Sequence, residues 1–195
     1  MIFAVSIPGV FPSAQITWFQ AQQACANAGK RLLSNAEWQM AAAGTTDPGS
    51  NNGLANTRCN TSSDGVRTTG NAGHSAGGDD SCVSNWGVED MVGNVWEWVA
   101  DWIQGPSGGG GSGAFNPYAI NNADANYGND AIVGINEGFQ GDGFPVALFR
   151  GGHFASSTDA GVFALVAQDS PAFRFATIGF RCTTSREHFR QRERD

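Results

Sequence analysis

The fourteen residues Glu89 to Trp102, EDMVGNVWEWVADW, bring the carboxylates Glu89, Asp90, Glu97 and Asp101 close in sequence to Trp96, Trp98 and Trp102. From Val95 onward a period of two separates Val95, Glu97, Val99 and Asp101 from Trp96, Trp98, Ala100 and Trp102. That is the pattern of a strand with one mixed face and one aromatic face. Two carboxylates on one face can do general acid–base chemistry, one giving a proton and the other taking it. The same spacing fits acids that are solvated or hydrogen-bonded beside indoles that build a core.

Thiolates and imidazoles are the other reactive candidates. Cys25, Cys59, Cys82 and Cys182 show neither CxxC nor a Cys/His zinc spacing, so thiolate ligation of a metal is not indicated. An even count at wide spacing permits two disulfides, as expected outside reducing compartments. Cys59 and Cys82 bracket the second half of a polar loop and are natural partners for pinning it. His74, Asp79 and Asp80 lie in that loop, where Asp and Asn oxygens could hold a structural calcium. No EF-hand spacing is present, so an unliganded polar loop is the plainer reading. Asn60-Thr61-Ser62 is a formal glycosylation acceptor. His74, His153 and His188 are isolated from one another.

These groups need elements to position them. In ITWFQAQQACANAGKR, Thr17 can cap a helix whose Trp18, Ala21, Cys25 and Ala28 share a face, and Gly29 can end it. In LLSNAEWQMAAAG, Ser34 and Glu37 form an S-x-x-E capping box and Gly44 stops the helix. MIFAVSIPGVF lacks a basic start and reads as an early strand rather than a signal peptide. Residues 45–85 and about 103–144 are irregular, the second containing the linker-like GPSGGGGSG. VALFRGG, GVFALVA and FRFATIGFRC then predict short strands at a hairpin-rich end. The fold class is α+β, with two helices and short twisted antiparallel sheets carrying long loop insertions. One domain over 1–182 is expected, followed by a charged tail, 183–195, in which Arg186, Arg190, Arg192 and Arg194 alternate with Glu187, Glu193 and Asp195. A net charge of -7 argues against a nucleic-acid partner, and no apolar run reaches the length of a membrane span.

Four blocks together resemble the formylglycine-generating, or sulfatase-modifying, domain family. They are ITWFQAQQACANAGKRLLSNAEWQMAAAG, GVEDMVGNVWEWVADW, LFRGGHF and IGFRC, in the family's order across residues 16–182. The resemblance implies a C-type lectin fold of the formylglycine-generating-enzyme subtype. In it Asn94, Trp96, Trp98, Arg150, Gly151, Gly152 and Arg181 would be structural, and Cys25 would pair with Cys182. A buried Glu97 would then need Arg150 or Arg181 as its partner. The family's enzymes use a reactive cysteine pair in the C-terminal part of the domain, but no cysteine lies between Cys82 and Cys182. The clustered histidines of the iron-binding sulfoxide-synthase branch and the calcium-chelating tripeptides of sugar-binding lectins are also missing. Asn116-Pro117-Tyr118 is only a faint echo of the latter.

The C-terminal third is similar to the variable region of diversity-generating retroelement target proteins, whose genes are rewritten at adenines. The resemblance implies a fixed frame of Arg150-Gly151-Gly152, Gly161 to Leu165, Pro171 and Ile178 to Arg181. Between the frame residues stand His153, Ala155, Ser156, Asp159, Val166, Ala167, Asp169, Phe173, Arg174, Phe175, Ala176 and Thr177, the expected ligand-binding set within about 147–182. Each of the twelve can be encoded by NNC or NNT, the products of adenine mutagenesis at asparagine codons. Phe173 and Phe175 around Arg174 suit a paratope, while their spacing also suits the core of an edge strand. The implied protein is a non-enzymatic binder of a protein or glycan on a host or neighbouring cell. It would sit on a virion or cell surface without cofactor, any calcium being structural. The rivals are a fixed-specificity lectin and a catalytically altered relative of the enzymes.

Overall fold

The computed structural model describes residues 1–45, 59–62, 65–70, 82–104, 131–133, 145–167 and 169–184. Helix α1 spans Trp18–Asn27. Thr17 Oγ1 accepts the Gln20 N–H at 3.2 Å while Gln20 Oε1 accepts the Thr17 N–H at 3.0 Å. This reciprocal box goes beyond the single cap expected of Thr17. The helix buries Ala21, Ala24 and Cys25, and Gly29 at φ +67° turns the chain away from it.

Strand β1, Arg31–Leu32, leads into α2, Asn35–Ala42, whose N-terminus carries the expected Ser34–Glu37 box. Arg31 adds a forked ion pair to Glu37, with Nη2–Oε1 at 2.6 Å and Nη1–Oε2 at 2.7 Å. The Arg31 hydrogen bonds pull the Glu37 carboxyl down to about 2.

The remaining strands are β2 (Trp96–Gln104), β3 (Ala131–Val133), β4 (Pro145–Arg150), β5 (Leu165–Ala167), β6 (Ile178–Phe180) and β7 (Cys182–Thr183). Five form a sheet in the order β3-β5-β4-β2-β6, and β1 pairs with β7. The sheet is mixed rather than antiparallel throughout: β2 runs parallel to β6, and β3 parallel to β5. Nor is the C-terminal end a run of hairpins, because β5 joins β4 whereas β6 crosses to the far side of β2. Residues 169–177 carry the chain across, and a crossover of that kind brings strands together in parallel.

Both faces of the sheet are covered. Trp96, Trp98, Ala147, Phe149, Val166 and Ile178 pack with Ala21 and Cys25 of α1 and with Ile16 and Leu32. Val99, Val146, Leu148 and Ala167 pack with Trp38 and Ala42 of α2 and with Leu33 and Met91. The period of two along β2 thus separates two buried layers, not core from solvent. Trp96 and Trp98 meet Phe149 edge-on at 5.3 and 5.0 Å.

The N-terminal apolar run forms no strand. It is an exposed strap whose Ala4 N–H donates to Ala24 O, while Gly9 and Val10 exchange backbone bonds with Thr69. Pro8 and Gly9 turn the strap before it can follow a sheet edge. The disulfides are Cys25–Cys182, joining α1 to β7 across 157 residues, and Cys59–Cys82, closing 23 residues. Both pairings match the expectation.

Candidate ligand-binding surface

Glu97 is 5% exposed, and each of its contacts comes from a donor. Trp38 Nε1–H reaches its Oε2 at 2.7 Å, and Arg181 forks onto both oxygens, with Nη2–Oε1 at 2.7 Å. Arg181 is therefore the partner, and Arg150 is not. The guanidinium of Arg150 lies 4.7 Å from the Trp38 ring centroid and donates to Phe163 O at 3.2 Å, Val162 O at 3.1 Å and the Gln39 side chain. Burial draws its pKa down to about 10, so it remains a cation at neutral pH. Asp101 accepts the Asn35 N–H at the start of α2. Glu97 and Asp101 are each bound to a different structural partner, which removes the acid–base reading of the opening motif.

Asn94 stands at φ +63° and joins β2 to the segments 59–62 and 65–70. Its Oδ1 accepts from Arg67 N–H at 2.8 Å and from Asn60 Nδ2 at 3.1 Å, and its own N–H donates to Asn60 O at 2.7 Å. Asn60 is 1% exposed, so the formal glycosylation acceptor is a core side chain in the folded protein. Gly151 (φ +93°) and Gly152 (φ +87°) follow β4. A Cβ on Gly151 would stand 2.6 Å from Met91 O, and one on Gly152 would overlap Ala160. Both glycines therefore answer to a close approach and to a left-handed backbone.

Glu97 pairs in register with Arg150 on β4 and Gly179 on β6. That register gathers the end of β4 and the starts of β2 and β6 at one end of the sheet. Two loops meet there, 151–164 and 169–177. In the first, Phe154 N–H donates to Asn94 O, Ser157 N–H to Thr61 O and Gly161 N–H to Gly151 O. In the second, Trp18 N–H donates to Pro171 O at 3.0 Å, Gln15 N–H to Phe175 O at 2.9 Å and Trp96 N–H to Thr177 O at 2.7 Å. Backbone groups make these bonds, so side chains along the loops can change without breaking them.

Of the twelve residues expected to bind ligand, Ala155, Asp159, Arg174, Phe175 and Ala176 are exposed, and His153, Ser156 and Phe173 are partly buried. Val166, Ala167, Asp169 and Thr177 are buried and contribute nothing to the surface. The reason for the first two is topological: β5 lies between β3 and β4, so Val166 faces the α1 layer and Ala167 the α2 layer. Phe173 and Phe175 stack at 6.2 Å with 11° between their planes. Phe173 rests on the core while Phe175 is 57% exposed, and the segment is a turn rather than an edge strand. Phe163, 46% exposed, belongs to the same region and was assigned to the frame by its sequence alone.

The His153 ring lies 6.3 Å from Trp96 and 5.2 Å from Phe154. Its Nδ1 accepts the Ala155 N–H at 3.1 Å, and burial holds its pKa below the ordinary histidine value. Although Asp159 is exposed as a whole, partial desolvation of its carboxyl raises its pKa. Among the described residues no group of three or more His, Cys, Asp or Glu is placed to hold a metal. Nor, among them, is any helix long and apolar enough to cross a membrane. The calcium candidates His74, Asp79 and Asp80, the segment Asn116-Pro117-Tyr118, the linker 105–113 and the tail from 185 lie outside the described residues.

The family model of the sulfatase-modifying factor enzyme 1-like domain matches residues 5–186. A formylglycine-generating enzyme of Thermomonospora curvata is 35% identical over 101 residues, covering 47% of this chain and 33% of the enzyme. Among solved structures, the Major Tropism Determinant M1 variant superposes with a TM-score of 0.56 at 22% identity, over 85% of this chain and 36% of that one. Treponema denticola variable protein 1 superposes with a TM-score of 0.53 at 20% identity, over 89% of this chain and 71% of that one. The chain thus spans about a third of the length of the enzyme and of the tropism determinant. Two helices and mixed sheets in this arrangement make a C-type lectin fold of the formylglycine-generating-enzyme subtype.

Proposed function

The chain belongs to the sulfatase-modifying factor enzyme 1-like domain family, and from that premise we propose that it is a non-enzymatic ligand-binding protein. Its recognition surface is formed by the loops 151–164 and 169–177 and is diversified by retroelement-directed mutation of adenines. One observation carries the reading: exposed, chemically unlike side chains stand on loops that are fixed through backbone bonds to residues elsewhere in the chain. Such a frame lets specificity change without unfolding the domain. The surface set is His153, Ala155, Ser156, Asp159, Phe173, Arg174, Phe175 and Ala176, with Val166, Ala167, Asp169 and Thr177 restricted by burial. The names borne by the tropism determinant variants and by variable protein 1 support this reading. The partner is a macromolecule on a host or neighbouring cell, and the protein works from a virion or cell surface without a cofactor. Any calcium it binds is structural.

The likeness to a formylglycine-generating enzyme favours one rival, a catalytically altered relative. All four cysteines are paired in disulfides, which leaves no thiolate for that chemistry. Incubation with a cysteine-containing sulfatase peptide, copper and oxygen should therefore give no aldehyde, and turnover would revive the rival.

Population sequencing of the gene and its downstream DNA tests the main proposal. Substitutions should cluster at the codons of the exposed residues and spare 166, 167, 169 and 177, next to an adenine-rich template repeat and a reverse-transcriptase gene. Invariant codons with no such repeat would leave a binder of fixed specificity.

A further inference from the structure

Resting on that reading of the surface, we infer that its partner is a protein segment presenting a carboxylate beside an apolar side chain. The loop 169–177 carries the observation. Arg174 is exposed and has no ion-pair partner among the described residues, although the chain as a whole is acidic at -7. An unpaired guanidinium is shaped for two parallel bonds to a carboxylate. Beside it Phe175 leaves 57% of its surface in water while stacked on Phe173. An aromatic ring so placed gains from apolar cover. Ala172 and Ala176, both exposed, leave room for a partner side chain to reach the ring.

A glycan fits this loop less well. Its hydroxyls need donors and acceptors, and Ala172, Phe175 and Ala176 have none in their side chains. The carbonyls of Pro171 and Phe175 already accept from Trp18 and Gln15. Sugar hydroxyls desolvated here would go unpaired, at a cost that apolar protein side chains avoid. A continuous anionic polymer or lipid surface would set many charges against the acidic chain, whereas a single carboxylate needs only Arg174. The backbone bonds from Gln15 and Trp18 also fix the loop before it binds, so less ordering is lost on association.

The probe is a phage-displayed library of random twelve-residue peptides, panned on the oxidised wild-type protein and on Arg174→Ala, Phe175→Ala and Ala176→Trp. All three positions are exposed, and thermal melts will confirm that the variants fold. The selected peptides should pair Asp or Glu with Leu, Phe or Trp. A synthetic consensus peptide should bind Arg174→Ala and Phe175→Ala each roughly tenfold or more weakly. Peptides without an acidic residue, or no enrichment, would overturn the inference. If binding is blocked by Ala176→Trp but indifferent to Arg174→Ala, the acidic partner is wrong and the surface stands. Selected peptides indifferent to all three substitutions would overturn the surface reading as well. A glycan array run alongside, with hits lost in Ala176→Trp, would replace the protein partner by a sugar.

Discussion

Glu97 receives the Trp38 N–H and the Arg181 fork inside the core, while Arg181 Nη2 also donates to the carbonyl oxygens of Glu89 at 3.0 Å and Asp90 at 3.4 Å. Glu97→Ala would leave the guanidinium with only carbonyl acceptors and the indole N–H with none, and should cost about 3 kcal/mol in chemical denaturation. Glu97→Gln, which keeps an acceptor for Trp38, should cost less. His153 makes a second prediction. Its folded pKa lies below the unfolded value of roughly 6.5, so the folded chain binds its proton more weakly. The stability it contributes is complete above about pH 6.5 and is lost as pH falls below that value. A proton on Nδ1 also removes the acceptor for the Ala155 N–H. Asp90 and Asp159 have raised pKa values through desolvation and act with the opposite sign, gaining stability as they protonate. The difference between wild type and His153→Asn isolates the histidine: between pH 7.5 and 5 the wild type should lose stability relative to the variant, whose amide oxygen can accept the same N–H at any pH. Equal slopes would show that His153 does not titrate against the loop.

At the scale of elements, Ser34–Glu37 and the tryptophans of β2 were legible in sequence because each is a local pattern with a single structural meaning. The direction of β6 was not, since it depends on the path of the loop 169–177 and not on the composition of IGF. The run MIFAVSIPGVF, residues 1–11, has the sequence of a strand without being one, because an apolar extended chain looks alike whether or not a sheet edge receives it. Val166 and Ala167 belong to the expected ligand set because they stand between frame residues in a stretch resembling a variable region, and neither that position nor codon compatibility reports burial. Their position makes a third prediction. Val166→Asp puts an unpaired charge between α1 and the sheet and should destabilise by about 3 kcal/mol or more, or prevent folding. Ala155→Asp and Ala176→Asp, on the exposed loops, should stay within about 0.5 kcal/mol of wild type. Thermal denaturation of the three variants decides it, and a tolerant Val166 would return that position to the ligand surface.

For the whole molecule, the two disulfides close covalent loops of very different size, 157 and 23 residues apart in sequence. Chain-entropy reasoning gives about 5 kcal/mol for the larger and about 3 for the smaller. Replacing Cys25 and Cys182 by serine should therefore lower stability in guanidinium by more than replacing Cys59 and Cys82, and the reverse order would point to strain or residual structure in the unfolded chain. The larger bond also decides how the protein carries tension. A pull on the chain beyond Cys182 enters the fold at a residue bonded through sulfur to α1 and leaves the strap before Cys25 unloaded. A pull on the chain before Cys25 must first strip the strap, and with it the Gln15 bond to Phe175 O. Anchored on its C-terminal side, the domain keeps the Gln15 brace on the loop 169–177, the proposed contact surface, while that loop is under load. Anchored on the other, the same force works the loop loose.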